Sequence, residues 1–296
     1  MKVKVILNPY ANRWGAKSKA PAVQAALQAA GLQSDMMMTI KPKQATYEAM
    51  LAVSAGYDAV ISAGGDGTLN EVVNGLILAA GDGPTIPLGV LPIGTGNDFN
   101  DMAGLPRDLE AAVKVFAAGR TRQVDAGRVN DHFFHNNCAV AMEPMVSIEN
   151  NKITRLSGNL RYVAALVKAL IKLKAWQMKI SWDGGGYEGP TYLLSVCNGP
   201  RTGGIFYMAP QASTSDGLFD YVFVPEISKM EVLAILPRLF KGSHIHHPKV
   251  TYSKTSQLTI HSSPGTPIHA DGEVLTESAS EVQYTILPGK ITLLCP

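Results

Sequence analysis

Along residues 1–120, short apolar runs alternate with segments of helical period, and that alternation confines the chain to a parallel α/β sheet. Val3–Leu7 reads as a buried strand, followed by a polar loop from Asn8 to Lys17. Ala20–Ala30 reads as a helix stopped by Gly31, Gln33–Thr39 as a strand, and Ala45–Ala55 as a helix ended by Gly56. Asp58–Ser62 is a short strand that runs into Gly64-Gly65-Asp66-Gly67-Thr68; Leu69–Ala80 is a helix and Ile86–Leu91 a further strand. Crossovers between parallel strands are right-handed, so few topologies remain.

Beyond Arg120 the period changes to two. Gln177–Trp182, Tyr192–Val196, Leu218–Val224, Gln257–His261 and Val282–Leu287 read as strands, several divided by glycine-rich turns such as Asp183-Gly184-Gly185-Gly186. This predicts a β-rich antiparallel sandwich with helices inserted at 157–175 and 228–240. The boundary falls near Arg122–Asp125, giving domains of 1–124 and 125–287. The last strand, about 288–296, is a candidate to return to the first domain.

Composition removes several classes. Hydrophobic residues make up 46% of 296, enough to fill cores, so disorder is excluded. Cys138, Cys197 and Cys295 are too few and too scattered for a disulfide scaffold and fit a reducing cytosol, so a cytoplasmic protein is expected. A formal net charge of +2 argues against bulk nucleic-acid binding. The opening apolar run reaches Asn8-Pro9 too soon for a secretory core. Tyr162–Trp176 is interrupted by Lys168, Lys172 and Lys174, short of the roughly 18 apolar residues of a membrane span. Between Glu149 and Asp183 there is no acid, whereas Lys152, Arg155, Arg161, Lys168, Lys172, Lys174 and Lys179 lie there. Arg161, Lys168 and Lys172 share a helical face, with Val163, Leu166, Val167, Leu170 and Ile171 on the rest. The reading is a basic helix near 155–175 that is either a solvated face or a peripheral contact with anionic lipid, where each base contributes about 1 kcal/mol.

The chemistry concentrates in two loops. Gly64-Gly65-Asp66-Gly67-Thr68-Leu69-Asn70-Glu71 lies between a strand and a helix, where glycines admit a phosphate and the helix start offers unpaired N–H groups. Asp66 beside a phosphate requires a cation, so Mg²⁺ is implied. Pro92-Ile93-Gly94-Thr95-Gly96-Asn97-Asp98-Phe99 again follows a strand and again combines glycine, threonine and carboxylate. Loops at the carboxyl ends of parallel strands share one crevice. Neither loop is a Walker A or dinucleotide fingerprint. Arg13 and Lys17 in the first loop are further candidates to pair with phosphate.

These motifs, with Asn8-Pro9, CNGPRTGG at 197–204, APQASTSDGLFD at 209–220 and Asp271-Gly272-Glu273, resemble the diacylglycerol kinase catalytic-domain lipid kinases, a family related to sphingosine and ceramide kinases. The resemblance covers essentially the whole chain, and the glycine loops alone are shared with NAD kinases and 6-phosphofructokinases. It implies an N-terminal fold of that type and an ATP- and Mg²⁺-dependent kinase acting on the primary hydroxyl of diacylglycerol or a related lipid at a membrane surface. It places nucleotide contacts at Thr39, at Gly64, Gly65, Asp66, Gly67, Thr68, Leu69, Asn70 and Glu71, and at Gly94, Thr95, Gly96, Asn97 and Asp98. It makes Asp271 the general base, with Glu273 beside it; on residues alone, Asp271-Gly272 reads as a hairpin turn. It implies a structural Mg²⁺ held by the Ser213 carbonyl, the Asp216 carboxylate and the Leu218 carbonyl. His244, His246 and His247 cluster without a cysteine and argue weakly for zinc. A soluble-substrate kinase of NAD kinase type and a nucleotide-binding regulator without catalysis stay open, as does a homodimer.

Overall fold

The computed structural model describes every residue except Arg13, Trp14, Arg155 and Ser157, and leaves aside the side chains of residues 158 and 159. The expectations for Arg13 and Arg155 lie outside the described residues. The chain forms two compact units: Met1–Ala126 with Pro288–Pro296, and Gly127–Leu287.

The first unit runs β1 (Lys2–Leu7), α1 (Gly15–Ala29), β2 (Gln33–Met38), α2 (Gln44–Ser54), β3 (Ala59–Gly64), α3 (Asp66–Ala80), β4 (Leu88–Pro92), α4 (Asp98–Met102) and α5 (Leu109–Ala118). β2, β1, β3 and β4 pair in parallel in that order. Every residue of β3 is buried, as expected of a strand covered on both faces. Val5, Leu7, Ile61 and Leu91 from the sheet pack with Val23 and Leu27 of α1 and Phe116 of α5. Gly64 pairs with Pro92, so the two glycine loops leave the sheet at the same end. α1 starts at Gly15, earlier than the expected Ala20, and holds Pro21 inside it. Buried Ala16 and Ala20 press its first turns on the core, and packing overrides weak propensity.

The chain's last residues fasten α3 from behind. The Lys290 ammonium donates to the Gly81 and Gly83 carbonyls at 2.5 and 2.6 Å, just past the helix end. Positive charge there is favourable by about 1 kcal/mol. Gly289 N donates to Asp125 Oδ1 at 2.7 Å, and Leu293 pairs in parallel with Leu88 of β4.

The second unit is entered along β5 (Thr121–Val129). It contains β6 (His132–Phe134), β7 (Asn137–Ala141), α6 (Met142–Lys152), α7 (Gly158–Ile171), β8 (Trp176–Trp182), β9 (Gly185–Cys197), β10 (Phe219–Pro225), α8 (Lys229–Ile235), β11 (Thr251–Thr255) and β12 (Gln257–Ala270). β13 (Glu273–Leu294) starts here, and its residues from Pro288 on belong to the first unit. The pairings β9–β10, β10–β11, β7–β9, β7–β12, β8–β9, β8–β12 and β12–β13 are antiparallel. Phe134 stacks on Phe219 at 5.5 Å and meets Tyr284 edge-on at 6.3 Å. A Cβ on Gly127 would stand 2.1 Å from the Phe134 ring, so β5 needs glycine at that crossing.

α7 differs from the expected division of faces. Ala165 and Ala169 are buried against Val146 of α6, with Tyr162 and Leu166 half-buried beside them. Leu160, Val163, Val167 and Ile171 are exposed, Ile171 by 76%. The small alanines allow the close approach to α6, which turns the larger aliphatics outward. The basic residues are partly engaged as well: Lys172 and Lys152 both reach Glu149 Oε1, at 2.8 and 3.2 Å, and the Arg161 guanidinium donates to the Asn150 carbonyl. Among the described residues, no helix is long and apolar enough to cross a membrane.

His244 lies in a short 3₁₀ turn after α8, 1% exposed, with Nε2 3.0 Å from the Met208 carbonyl oxygen. Burial pushes its imidazole down to about 4 from an ordinary 6.5. The fold therefore holds it neutral while the unfolded chain takes up a proton. Its contribution is intact above about pH 6.5 and lost as pH falls toward about 4, at most about 3 kcal/mol. His244→Gln should flatten the fall in melting temperature between pH 7 and pH 4.5 (about 5 °C or more in the parent chain); an unchanged fall would place the acid sensitivity elsewhere.

Candidate active site

β3 and β4 end in loops that lock together through their backbones. Ile93 N and Gly94 N both donate to the Gly64 carbonyl, at 3.1 and 2.9 Å, and Asp66 N donates to the Gly96 carbonyl at 3.0 Å. No side chain fits between them. A Cβ on Gly94 would come within 2.4 Å of the Gly65 Cα, and one on Gly65 within 2.9 Å of the Gly96 carbonyl oxygen. A Cβ on Gly64 would meet the Thr68 hydroxyl at 2.4 Å. Asp66 Oδ2 accepts from Asp98 N at 3.1 Å, Asn97 Nδ2 donates to the Gly94 carbonyl, and Asn8 Nδ2 donates to Thr68 Oγ1 at 3.0 Å. Thr95 and Gly96 are exposed at the tip.

The structure therefore brings together Gly64, Gly65, Asp66, Thr68, Gly94, Gly96, Asn97 and Asp98. Gly67 follows Asp66 in the first turn of α3. Thr39 follows β2 at the same sheet end as Asn8 and is buried, its N–H on the Leu7 carbonyl. Leu69 and Asn70 are buried within α3. Glu71 braces the neighbouring helix. Its carboxylate accepts from Lys43 N and Ala45 N, at 2.9 and 3.1 Å, and closes the start of α2. Lys43 is left-handed there and makes no side-chain cap of its own, so Glu71 supplies the missing acceptor.

At the joint of β12 and β13, Asp271 and Gly272 have φ of 48° and 87°, a two-residue hairpin turn of the type that places both residues in left-handed space. The turn also sets a buried carboxylate. Asp271 Oδ1 accepts from Asn136 N and Asn137 N at 2.9 and 3.1 Å, and Oδ2 from His135 N at 3.0 Å. His135 Nδ1 stands 2.8 Å from Oδ2, and both side chains are buried. Glu273, next but one, is exposed.

Sequence reasoning missed what lies beside this turn. Glu143, 5% exposed in the first turn of α6, accepts on Oε1 from Asn137 Nδ2 and Thr202 Oγ1, both at 2.9 Å, and His269 Nε2 is 3.5 Å away. Burial alone would raise the Glu143 carboxyl, but hydrogen bonds from His269 and Thr202 outweigh it and hold the group below its ordinary range. Ala141, the residue before α6, has φ 68° and ψ −116°. Such a conformation costs a non-glycine residue about 1–3 kcal/mol and persists where the surroundings demand it. Nothing in the sequence marks it, because an alanine gives no sign of positive φ.

The Ser213–Leu218 loop carries Asp216, whose Oδ1 accepts from Leu218 N at 3.2 Å and whose Oδ2 lies 2.5 Å from the Lys254 ammonium. Lys254 is also 3.5 Å from Asp220 Oδ2. An ammonium thus already neutralises the carboxylate that the resemblance assigns to a metal, and a divalent ion there has to displace it. Among the described residues, no group of three or more His, Cys, Asp or Glu side chains is placed to hold a metal, which includes the His244 cluster. The donor chemistry at Asp66 and Asp98 suits Mg²⁺, which commonly takes one or two carboxylates and completes its shell with phosphate and water.

Residues 2–129 match the diacylglycerol kinase catalytic domain, and residues 138–295 match the YegS C-terminal NAD kinase beta sandwich-like domain. The chain is 33% identical over 274 residues to diacylglycerol kinases of Staphylococcus aureus strains bovine RF122 / ET3-1 and MRSA252, which spans 92% of this chain and 86% of each relative. The fold is similar to the crystal structure of a diacylglycerol kinase from Bacillus anthracis str. Sterne, with a TM-score of 0.75 at 23% identity, covering 100% of this chain and 97% of that one.

Lys254→Ala releases both carboxylates from the ammonium. Mg²⁺ should then raise the melting temperature of the nucleotide-free protein more than it does in the parent chain, read by differential scanning fluorimetry. An equal response in the two proteins would show that no ion competes with Lys254 at this loop.

Proposed function

The chain belongs to the diacylglycerol kinase catalytic-domain family and is a lipid kinase; from that premise we propose that it transfers the γ-phosphate of ATP to the primary hydroxyl of a diacylglycerol or related lipid. The lipid side of this reading rests on the family match, and the observation that carries its ATP side is the interlock of the 64–68 and 94–98 loops at the start of α3. Its backbone is bare of side chains where the loops meet, and the 15-residue helix behind it directs N–H groups and a positive dipole end at an anion.

On this reading the triphosphate lies on Gly64, Gly65, Gly67, Thr68, Gly94, Thr95 and Gly96, with the adenosine toward Thr39. Asp66 and Asp98 would hold Mg²⁺. When bound, Mg²⁺ neutralises charge on the transferring phosphoryl group. Glu71, Leu69 and Asn70 act from behind, by keeping α2 and α3 in place.

Asp271 is the proposed proton acceptor. Three backbone N–H groups hold its carboxylate in one orientation. On this reading the lipid hydroxyl takes the place of the His135 imidazole, which lies 2.8 Å from Oδ2. The low exposure of the carboxylate keeps water from taking the hydroxyl's place. Asp271→Asn retains the shape and removes the basicity. It should lower kcat with diacylglycerol in mixed micelles by about 10²-fold or more, with the KM for ATP unchanged; a kcat within twofold of the parent would remove Asp271 from the proton path.

The lipid is proposed to be met at a bilayer surface by α7. Leu160, Val163, Val167 and Ile171 form an exposed stripe at helical spacing, and the exposed Lys168 and Lys174 supply positive charge alongside. A Val163→Asp/Val167→Asp variant should lose co-sedimentation with vesicles containing anionic lipid while phosphorylating a short-chain, water-soluble diacylglycerol normally. Retained sedimentation would exclude this face as the docking surface.

A further inference from the structure

We propose that Glu143 is a positioning residue for the reaction, acting on Asp271 through Asn137. This rests on the reading of Asp271 as proton acceptor.

The link is short and continuous. Asn137 meets Asp271 with its backbone twice: its N–H donates to Asp271 Oδ1 at 3.1 Å, and its carbonyl accepts from Asp271 N at 2.8 Å. The side chain of the same residue donates to Glu143 Oε1 at 2.9 Å. The residue that orients the Asp271 carboxylate is therefore itself oriented by a buried carboxylate. Thr202, from the CNGPRTGG segment, donates to the same oxygen, and His269, two residues before Asp271 on β12, faces it at 3.5 Å. Asn198 of that segment binds the 135–137 stretch from the other side: its Nδ2 donates to the His135 carbonyl at 2.9 Å and its N–H to the Asn136 carbonyl at 2.7 Å.

Two features separate this arrangement from ordinary core packing. A buried charged group is a poor way to gain stability, since an apolar replacement of similar volume is often neutral or better. The backbone is also bent to make it: Ala141, one residue before Met142 at the start of α6, takes φ 68° with ψ −116°, a conformation that an alanine adopts only when its surroundings require it. A strained residue at the edge of a buried polar network is the pattern of a site that fixes geometry. Small displacements of a reacting group are costly, about 10²-fold in rate for roughly 1 Å.

The test uses the full chain and two readouts. Glu143→Gln keeps the shape and loses the charge. Its kcat for diacylglycerol should fall about 10- to 100-fold with the KM for ATP unchanged, and its melting temperature should confirm a folded protein. Independently of activity, the backbone amide resonances of His135, Asn136 and Asn137 should shift in a ¹H–¹⁵N spectrum, while those around Asp220 stay in place. Asn137→Ala cuts the same link from the other side, and the double variant should be no slower than the slower single one. Full activity with unmoved 135–137 amides would overturn the proposal, as would additive losses in the double variant. Failure of the base reading is distinguishable, because an active Asp271→Asn variant refutes that reading whatever the amide shifts in Glu143→Gln show.

Discussion

The first unit depends on a contact in which two backbones touch with nothing between them. Gly94 against Gly65 leaves less room than a single methyl needs, and the Thr68 side chain fills the space beside Gly64. The rest of that unit arranges itself around the contact. β3 and β4 are buried and parallel, so their ends present the two loops together. α3 starts inside the first loop and is held at its far end by Lys290, from the last stretch of the chain. α2 is closed by Glu71 of α3. The N–H groups at the start of α3 have positions set by glycine contacts, a sheet and two fastened helices, so on the proposed reading little reorganisation remains for a phosphate that binds there.

The second unit solves a related problem with side chains. Its carboxylate, Asp271, is set on a two-residue turn and held by three N–H groups from β7 and the residues before it. That stretch is in turn held by Asn198, Thr202 and Glu143. Charge is buried here without gain in stability for its own sake, and the result is a carboxylate with one direction. Across the surface of the same unit, α7 buries Ala165 and Ala169 and leaves Leu160, Val163, Val167 and Ile171 exposed. This is the reverse of what burial alone would favour and is consistent with an apolar surface as neighbour.

What the sequence disclosed follows from how local each requirement is. The strands and helices of residues 1–120 are legible because burial on two faces leaves continuous apolar runs, and the glycine loops because close approach forbids every other residue. The helix inserted at Gly158–Ile171 is legible from its period, whereas its true inward face is hidden, since Ala165 and Ala169 carry little hydrophobic signal. α6 gives no signal: its first residues follow a strained alanine, and Pro144 and Glu143 at its start are buried by partners elsewhere. Glu143, His135 and His269 escape for the same reason. His135 meets a residue 136 positions away, and Thr202 meets Glu143 across 59, distances over which no sequence period carries information. The Asp216 loop is legible as an acidic turn, but its Lys254 partner, 38 positions on, is not.

One central claim underlies the rest, that this chain phosphorylates a lipid alcohol with ATP as donor. The most direct measurement incubates purified protein with Mg²⁺, γ-labelled ATP and mixed micelles carrying diacylglycerol, monoacylglycerol, ceramide or sphingosine in turn, with NAD as a soluble competitor. Label should appear in an organic-phase product with at least one long-chain alcohol and not in NAD. Label confined to NAD, or to no acceptor while ATP still binds, would contradict the claim.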